Sequence, residues 1–173
     1  HGTTCSFKSN VGKEIHQSLK TGVKEGRNGL GVVYIFSSGD SYGNGDNVNY
    51  QAFPKSRFGM TVGAIKMISQ SGTFLKPIHS TYSTGGSSIF VVAPGGDYDS
   101  AHSHIGAGGD FACDEIGYGT AFAAPVVGGV VALMLEAYQN ATWRDVRAII
   151  AETSKPVEML DSQGKNDDAT FGV

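Results

Sequence analysis

The 173-residue chain is short of charge, cysteine and tryptophan. Charged residues make up 17%, with 13 Lys and Arg against 16 Asp and Glu and a net charge of −3. Neutralising phosphates needs a basic surplus, so electrostatic binding of nucleic acid is excluded as the leading function. Two cysteines, Cys5 and Cys113, are too few for a disulfide framework and fit no zinc spacing. One bridge and two buried thiols both satisfy that count. The apolar runs are read as falling short of the roughly 18–20 residues that a membrane span requires, and no signal-peptide pattern is present. There are no internal repeats, and the length suffices to bury a sizeable core without disulfides.

Glycine is what the chain has in excess, with 25 residues, about twice average usage. It follows no Gly-X-Y period, which excludes collagen. It clusters around apolar runs, as at tight turns and close backbone approaches. Residue 1 is His rather than Met, which reads as a chain processed or cut from something longer.

Val11, Ile15, Leu19 and Val23 lie four apart between polar residues, predicting an amphipathic helix over 11–25. Gly26 and Gly29 are its expected stops. Three short apolar runs, 32–36, 60–65 and 89–93, read as strands buried on both faces, as in parallel sheets. Stretches 37–50 and 83–88 carry turn chemistry, and 94–120 reads as a long glycine-rich loop. Residues 121–138 predict a helix buried nearly all round, with Pro125 in its first turn. Its interior Gly128 and Gly129 would each cost about 1 kcal/mol relative to Ala, which close packing against another element would explain. Thr142 with Asp145 predicts a capping box, opening a helix whose Trp143, Val146, Ile149 and Ile150 share a face and which Lys155-Pro156 ends. The expectation is an α/β fold with a parallel sheet flanked by helices.

The segment Gly119-Thr120-Ala121-Phe122-Ala123-Ala124-Pro125, where a loop enters a helix, resembles the nucleophile motif of the subtilisin-like serine proteases. His1-Gly2-Thr3-Thr4-Cys5 resembles that family's catalytic-histidine motif, and Phe36-Ser37-Ser38-Gly39-Asp40 the segment ending in its oxyanion-hole Asn. Val23-Lys24-Glu25-Gly26-Arg27-Asn28-Gly29-Leu30-Gly31, Leu135-Glu136-Ala137, Thr142-Trp143-Arg144-Asp145-Val146 and Glu152-Thr153-Ser154-Lys155-Pro156 are similar to kexin and the eukaryotic proprotein convertases. The resemblance covers 1–5 and 11–156. It implies a subtilisin-like fold, a protein or peptide substrate, the secretory pathway, and calcium as a bound ion held by oxygen ligands. It assigns the base position to His1, the oxyanion position to Asp40 and the nucleophile position to Ala121.

Five departures decide what this resemblance implies. A methyl group at Ala121 cannot attack a carbonyl, and in subtilisin removing the Ser or the His alone lowers turnover about a millionfold. The triad Asp, which precedes His in the family, has no counterpart before His1, leaving the imidazole without its orienter. Asp40 replaces an amide donor, and an ionised carboxylate only accepts. Gln51 stands where convertases carry an acid for basic side chains, although Asp46 remains nearby. Only residues 6–10 bridge a stretch that in the family contains further strands. By the same resemblance, Cys113 matches a half-cystine whose usual partner lies in that stretch, and Cys5 a cysteine that is usually unpaired.

The expectation is therefore an incomplete peptidase domain over 1–156, with a junction near 6–10 and a polar tail over 157–173. It is a kexin-like serine endopeptidase by family and inactive as written. The alternatives are a natural pseudoprotease that binds peptide or protein, or a truncated or spliced product without a stable fold. Asn140-Ala141-Thr142 is an acceptor for N-glycosylation. His102, Ser103 and His104 with Asp97, Asp99 and Asp110 read as a solvated polar loop and not a metal site. Asp167-Asp168 reads as solvated tail, and His16 and His79 as surface or structural histidines.

Overall fold

The computed structural model describes residues 9–70, 74–98, 104–106 and 115–157. Helix α1 spans Asn10–Glu25, and the Ser9 hydroxyl accepts the Gly12 N–H at 3.0 Å to cap it. Leu19 and Val23 are buried and Ile15 half-buried, while Val11, in the first turn, is 60% exposed and lies off the core. Past Gly26 the chain reverses through Arg27 and Asn28, both left-handed with φ of 51° and 57°. Their conformation costs energy in a residue with a side chain. Arg27 offsets it by donating from Nη1 to the Gly31 and Ala141 carbonyls, at 3.2 and 3.0 Å, and from Nη2 to that of Gln139 at 3.3 Å.

The sheet is built on β2, Gly59–Gln70. Strands β1, Tyr34–Ser37, and β4, Ile89–Pro94, both pair with it in parallel, while β3, Phe74–His79, pairs antiparallel with its far half. The sheet is thus mixed, and the first run starts its strand at Tyr34, with Val32 and Val33 in the approach. Residues along β2 alternate between two clusters. Met60, Val62 and Ala64 face Ala123, Val127 and Val131, whereas Ile65 joins Val48 and Ile89 in a second cluster. The expected loop over 94–120 in fact holds a small antiparallel ribbon, β5, His104–Gly106, and β6, Glu115–Gly117. His104 is therefore in a strand, contrary to the loop reading.

Helix α2 spans Thr120–Ala137 and α3 spans Trp143–Thr153. The capping box forms: the Thr142 hydroxyl accepts the Asp145 N–H at 3.2 Å, and the Asp145 carboxylate accepts the Thr142 N–H at 2.8 Å. Trp143, Val146 and Ile150 are buried, while Ile149 is exposed on the outer turn. Three expectations for α2 are corrected. Because the helix begins at Thr120, Pro125 lies in its second turn, where a proline supplies no N–H to the Ala121 carbonyl. The helix packs on the sheet with one face only, so Phe122, Val126, Val130 and Leu133 are exposed. Close packing does not explain the glycines: a Cβ on Gly129 would meet nothing within 4 Å, and one on Gly128 only Ile35 Cδ1 at 3.9 Å. By length and composition this helix, of mean hydropathy 1.8 over 18 residues, is also apolar enough to cross a membrane. That overturns the reading that no run reaches such a length.

Gly31, at φ 85°, is where the last turn of α1 meets the start of α3. A Cβ there would lie 2.3 Å from Trp143 Cδ1 and 2.5 Å from the Val23 carbonyl oxygen. Gly31→Ala is expected to cost about 2–3 kcal/mol through backbone strain and overpacking. Urea unfolding measures this, and a loss under about 0.5 kcal/mol would contradict the packing described.

Candidate active site

The sheet delivers β1 to the loop Ser38-Gly39-Asp40 at the mouth of α2. The Asp40 Oδ1 atom accepts two hydrogen bonds from Thr120, one from its N–H and one from its hydroxyl, both at 2.8 Å. Thr120 Oγ1 in turn accepts the Gly39 N–H at 3.0 Å. Asp40 is thus a side-chain cap for α2, supplied from 80 residues away. A carboxylate at a helix start is favoured by the free N–H groups and by the dipole. No hydrogen bond engages its Oδ2 among the described residues, and a Cβ on Gly119 would sit 3.2 Å from that atom. Ala121, the next residue of α2, is exposed and brings a methyl group. Its N–H has no partner among the described residues, as expected of a first-turn donor. The corner therefore offers one backbone donor, one carboxylate oxygen and no nucleophile.

Asp46 and Gln51 stand beside this corner and bond to each other, Gln51 Nε2 donating to Asp46 Oδ2 at 2.9 Å. Asp46 Oδ1 accepts the Asn47 N–H at 2.9 Å, and Gln51 Nε2 also reaches the Ser38 carbonyl at 3.4 Å. Gln51 Nε2 would lie 3.3 Å from a Cβ on Gly39, itself at φ 101°. The structure thus brings Asp40, Gln51, Asp46 and Ala121 together around Gly39 and Thr120. His1, Cys5, Cys113, His102, Ser103, Asp99, Asp110 and the 158–173 portion of the tail lie outside the described residues. Asn140 is exposed in the turn between α2 and α3. His79 is buried, its Nε2 is 2.9 Å from the Ser83 carbonyl, and its ring meets Tyr42 edge-on, the structural role expected of it. His16 lies half-buried against Phe58.

The sequence reading missed Tyr82, which holds the start of α2 in place. Its buried hydroxyl shares its one proton between the carbonyls of Gly95 and Gly96, at 2.8 and 2.9 Å, and accepts the Gly119 N–H at 2.9 Å. Tyr98 and Tyr118, both exposed, pack with it as a three-ring cluster with centroids 4.6 to 5.7 Å apart. Nearby, buried Asp97 pairs with Lys66 at 2.9 Å and accepts the Thr81 hydroxyl at 3.0 Å. Burial raises the Asp97 carboxyl, but Lys66, the Tyr98 N–H and the Thr81 hydroxyl outweigh that and hold it below its ordinary value. Calcium needs six to eight oxygen ligands. Among the described residues no three His, Cys, Asp or Glu converge, and both Asp46 oxygens are engaged within the loop, so no calcium ligand set is assigned to them.

Burial, with the fields of Asp40 and Asp97 adding to it, pushes Tyr82 up to about 12. The folded-state value exceeds the ordinary 10.0, so the phenol's contribution is whole below pH 10. It is lost as pH rises towards 12, where only the unfolded chain ionises at first. Tyr82→Phe is expected to be less stable at neutral pH but to lose stability less steeply between pH 10 and 12, as measured by denaturant unfolding across that range. Equal slopes in the two proteins would refute the assignment.

Comparison with known proteins places this geometry in a family. Residues 4–173 match the model of Peptidase S8, the subtilase family. Kexin of Saccharomyces cerevisiae is 37% identical over 134 residues, covering 77% of this chain and 15% of that protein. Furin of Homo sapiens is 30% identical over 156 residues, covering 88% and 18%. This chain thus spans under a fifth of the length of either relative. Among solved structures, the serine protease of Aeromonas sobria in complex with its chaperone superposes with a TM-score of 0.70 at 20% identity, covering 92% of this chain and 34% of that one. A cold-adapted subtilisin-like serine proteinase gives 0.58 at 19%, covering 92% and 48%. These last two likenesses show the fold. The family match covers nearly the whole chain and the relatives are kexins and furins: the chain belongs to the subtilase family of serine peptidases, in its kexin-like branch.

Proposed function

We propose that this chain is a segment of a kexin-like endopeptidase that, with Ala at position 121, binds peptide without hydrolysing it. Residues 1–156 are its peptidase portion and 157–173 a polar tail. One observation carries the reading: beside the Asp40–Thr120 contact, α2 offers an Ala121 N–H without a partner among the described residues, and a methyl group. The N–H can hold a carbonyl oxygen, but nothing at that position can attack the carbon. The Asp40 carboxylate would oppose negative charge developing on the oxygen. His1 takes the base position by family resemblance. Asp46 supplies the negative charge for a basic side chain, weakened because Gln51 is already bonded to it. A natural pseudoprotease is the second reading, favoured because positions 40, 51 and 121 depart together. Exposed Asn140 supports glycosylation and the secretory pathway. No metal is assigned to the described residues.

A fluorogenic dibasic peptide incubated with the chain is expected to release no fluorophore above buffer while binding saturably by anisotropy. Asp46→Asn is expected to weaken that binding about tenfold. Turnover by the Ala121 chain, or an absence of saturable binding, would overturn the proposal. Ala121→Ser in the full-length protein separates its two forms: restored hydrolysis marks an endopeptidase silenced at one position, and none marks a pseudoprotease. After expression in a eukaryotic secretory host, Asn140→Gln is expected to abolish the mass loss that a glycosidase causes in the parent chain.

A further inference from the structure

A cluster of tyrosines adjoins the Ala121 N–H. Tyr82 is 2% exposed, and its hydroxyl takes the Gly119 N–H at 2.9 Å. A Cβ on Gly119 would lie 3.8 Å from the Ala121 nitrogen, which puts the Tyr82 hydroxyl and the Ala121 donor at one backbone corner. Tyr98, which follows β4, and Tyr118, which precedes α2, pack on the Tyr82 ring with centroids 5.7 and 5.5 Å from it. These two outer rings are 64% and 42% exposed. Among the described residues neither outer phenol oxygen takes a hydrogen bond. Single exposed apolar side chains are ordinary, but two in mutual contact form a surface, and this one is continuous with the candidate site.

Ring geometry narrows what the surface takes. The Tyr98 and Tyr118 centroids are 4.6 Å apart with planes at 63°, and Tyr82 meets Tyr98 at 82°. Rings this close fill one another's space and leave no cage between them for a cation. They form instead a cluster with an open outer side. A further ring extends it in the edge-to-face or offset geometry that aromatic pairs prefer. A tyrosine has only two side-chain angles to fix on binding, and Tyr82, held by its three hydrogen bonds, supports the outer rings from beneath. Consecutive Cα atoms are about 3.8 Å apart. A peptide whose carbonyl lies on the Ala121 N–H therefore brings a neighbouring side chain within reach of these rings.

We propose that Tyr98 and Tyr118 bind an aromatic side chain of the peptide, on a residue next to the carbonyl that the Ala121 N–H holds. The proposal rests on the reading of this chain as a peptide binder and names a side chain that it selects. The bound ring packs on the outer side of Tyr98 and Tyr118, and their hydroxyls stay at the edge of the contact, free to bond to the peptide backbone or to water.

The probes are fluorescein-labelled dibasic peptides with Phe, Lys or Ala directly before or directly after the basic pair, titrated with the 173-residue chain by anisotropy. In one of the two places Phe is expected to bind about tenfold tighter than Ala. Tyr98→Ala is expected to cut that difference below about threefold. Because Tyr98 is largely exposed, the circular dichroism spectrum of that variant should match the parent's. A Phe advantage missing from both places, or undiminished in Tyr98→Ala, overturns the proposal. So does a Lys peptide that binds as tightly as the Phe peptide, which would give the rings to a cation. Failure of every peptide to bind, the Ala versions included, refutes the peptide reading by itself. The rings are then tested alone with N-acetyl-phenylalanine amide at millimolar concentration. It is expected to shift the Tyr98 and Tyr118 ring resonances, assigned with Tyr98→Ala and Tyr118→Leu, where N-acetyl-alanine amide does not. Unmoved ring resonances overturn the proposal.

Discussion

A strand with water on neither side must find cover on both, and the first half of β2 is such a strand. Residues 59–65 are all buried, so its two faces demand separate layers of apolar partners. Met60, Val62 and Ala64 are covered by α2, and the opposite face is closed where Ile65 meets Val48 and Ile89. Because β1 and β4 flank this strand in parallel, their ends arrive at one rim of the sheet. There the loops after them, holding Asp40 and Gly95, meet the start of α2. The position of the candidate site follows from that requirement for cover.

At the rim, a carboxylate at position 40 decides which hydrogen bonds the corner can make. An amide can accept with its oxygen and donate with its nitrogen, whereas Asp40 keeps only the accepting half. That half is occupied by the two Thr120 donors. The second oxygen, beside Gly119, takes no hydrogen bond among the described residues. Tyr82 completes the corner from beneath by linking Gly95 and Gly96 to Gly119. A polar corner so bonded is anchored from two sides before any ligand arrives.

Local signals were legible in the sequence and long-range ones were not. The four-residue spacing announced α1, and Thr142 with Asp145 announced the start of α3, because each is written within a few residues. Strand β3 escaped because it contains Pro77, a poor strand residue that survives where an edge leaves its nitrogen unneeded. The ribbon of β5 and β6 was hidden in glycine-rich chain with strands only three residues long. The apolar composition of α2 suggested burial all round, yet composition cannot say how many neighbours a helix has. At the rim, Asp40, Ala121, Gln51 and Asp46, the residues that the motifs single out, lie close together. Tyr82 carried no signal, because its partners lie 13, 14 and 37 residues away.

The Arg27 clamp bears on the order in which the protein can be assembled. Its acceptors at Gln139 and Ala141 lie 112 and 114 residues downstream, and the Leu30 carbonyl waits for the Trp143 N–H at 2.9 Å. During synthesis, helix α1 and the strained turn after it emerge long before the groups that satisfy them. At about 5–20 residues per second, that interval lasts roughly 6–23 seconds. For that time the left-handed pair Arg27-Asn28 has only the Gly31 carbonyl, four residues on, to offset it. The turn's full set of hydrogen bonds is therefore completed late on the ribosome, when α3 docks, and the nascent chain must keep Leu19 and Val23 from other apolar surfaces until then.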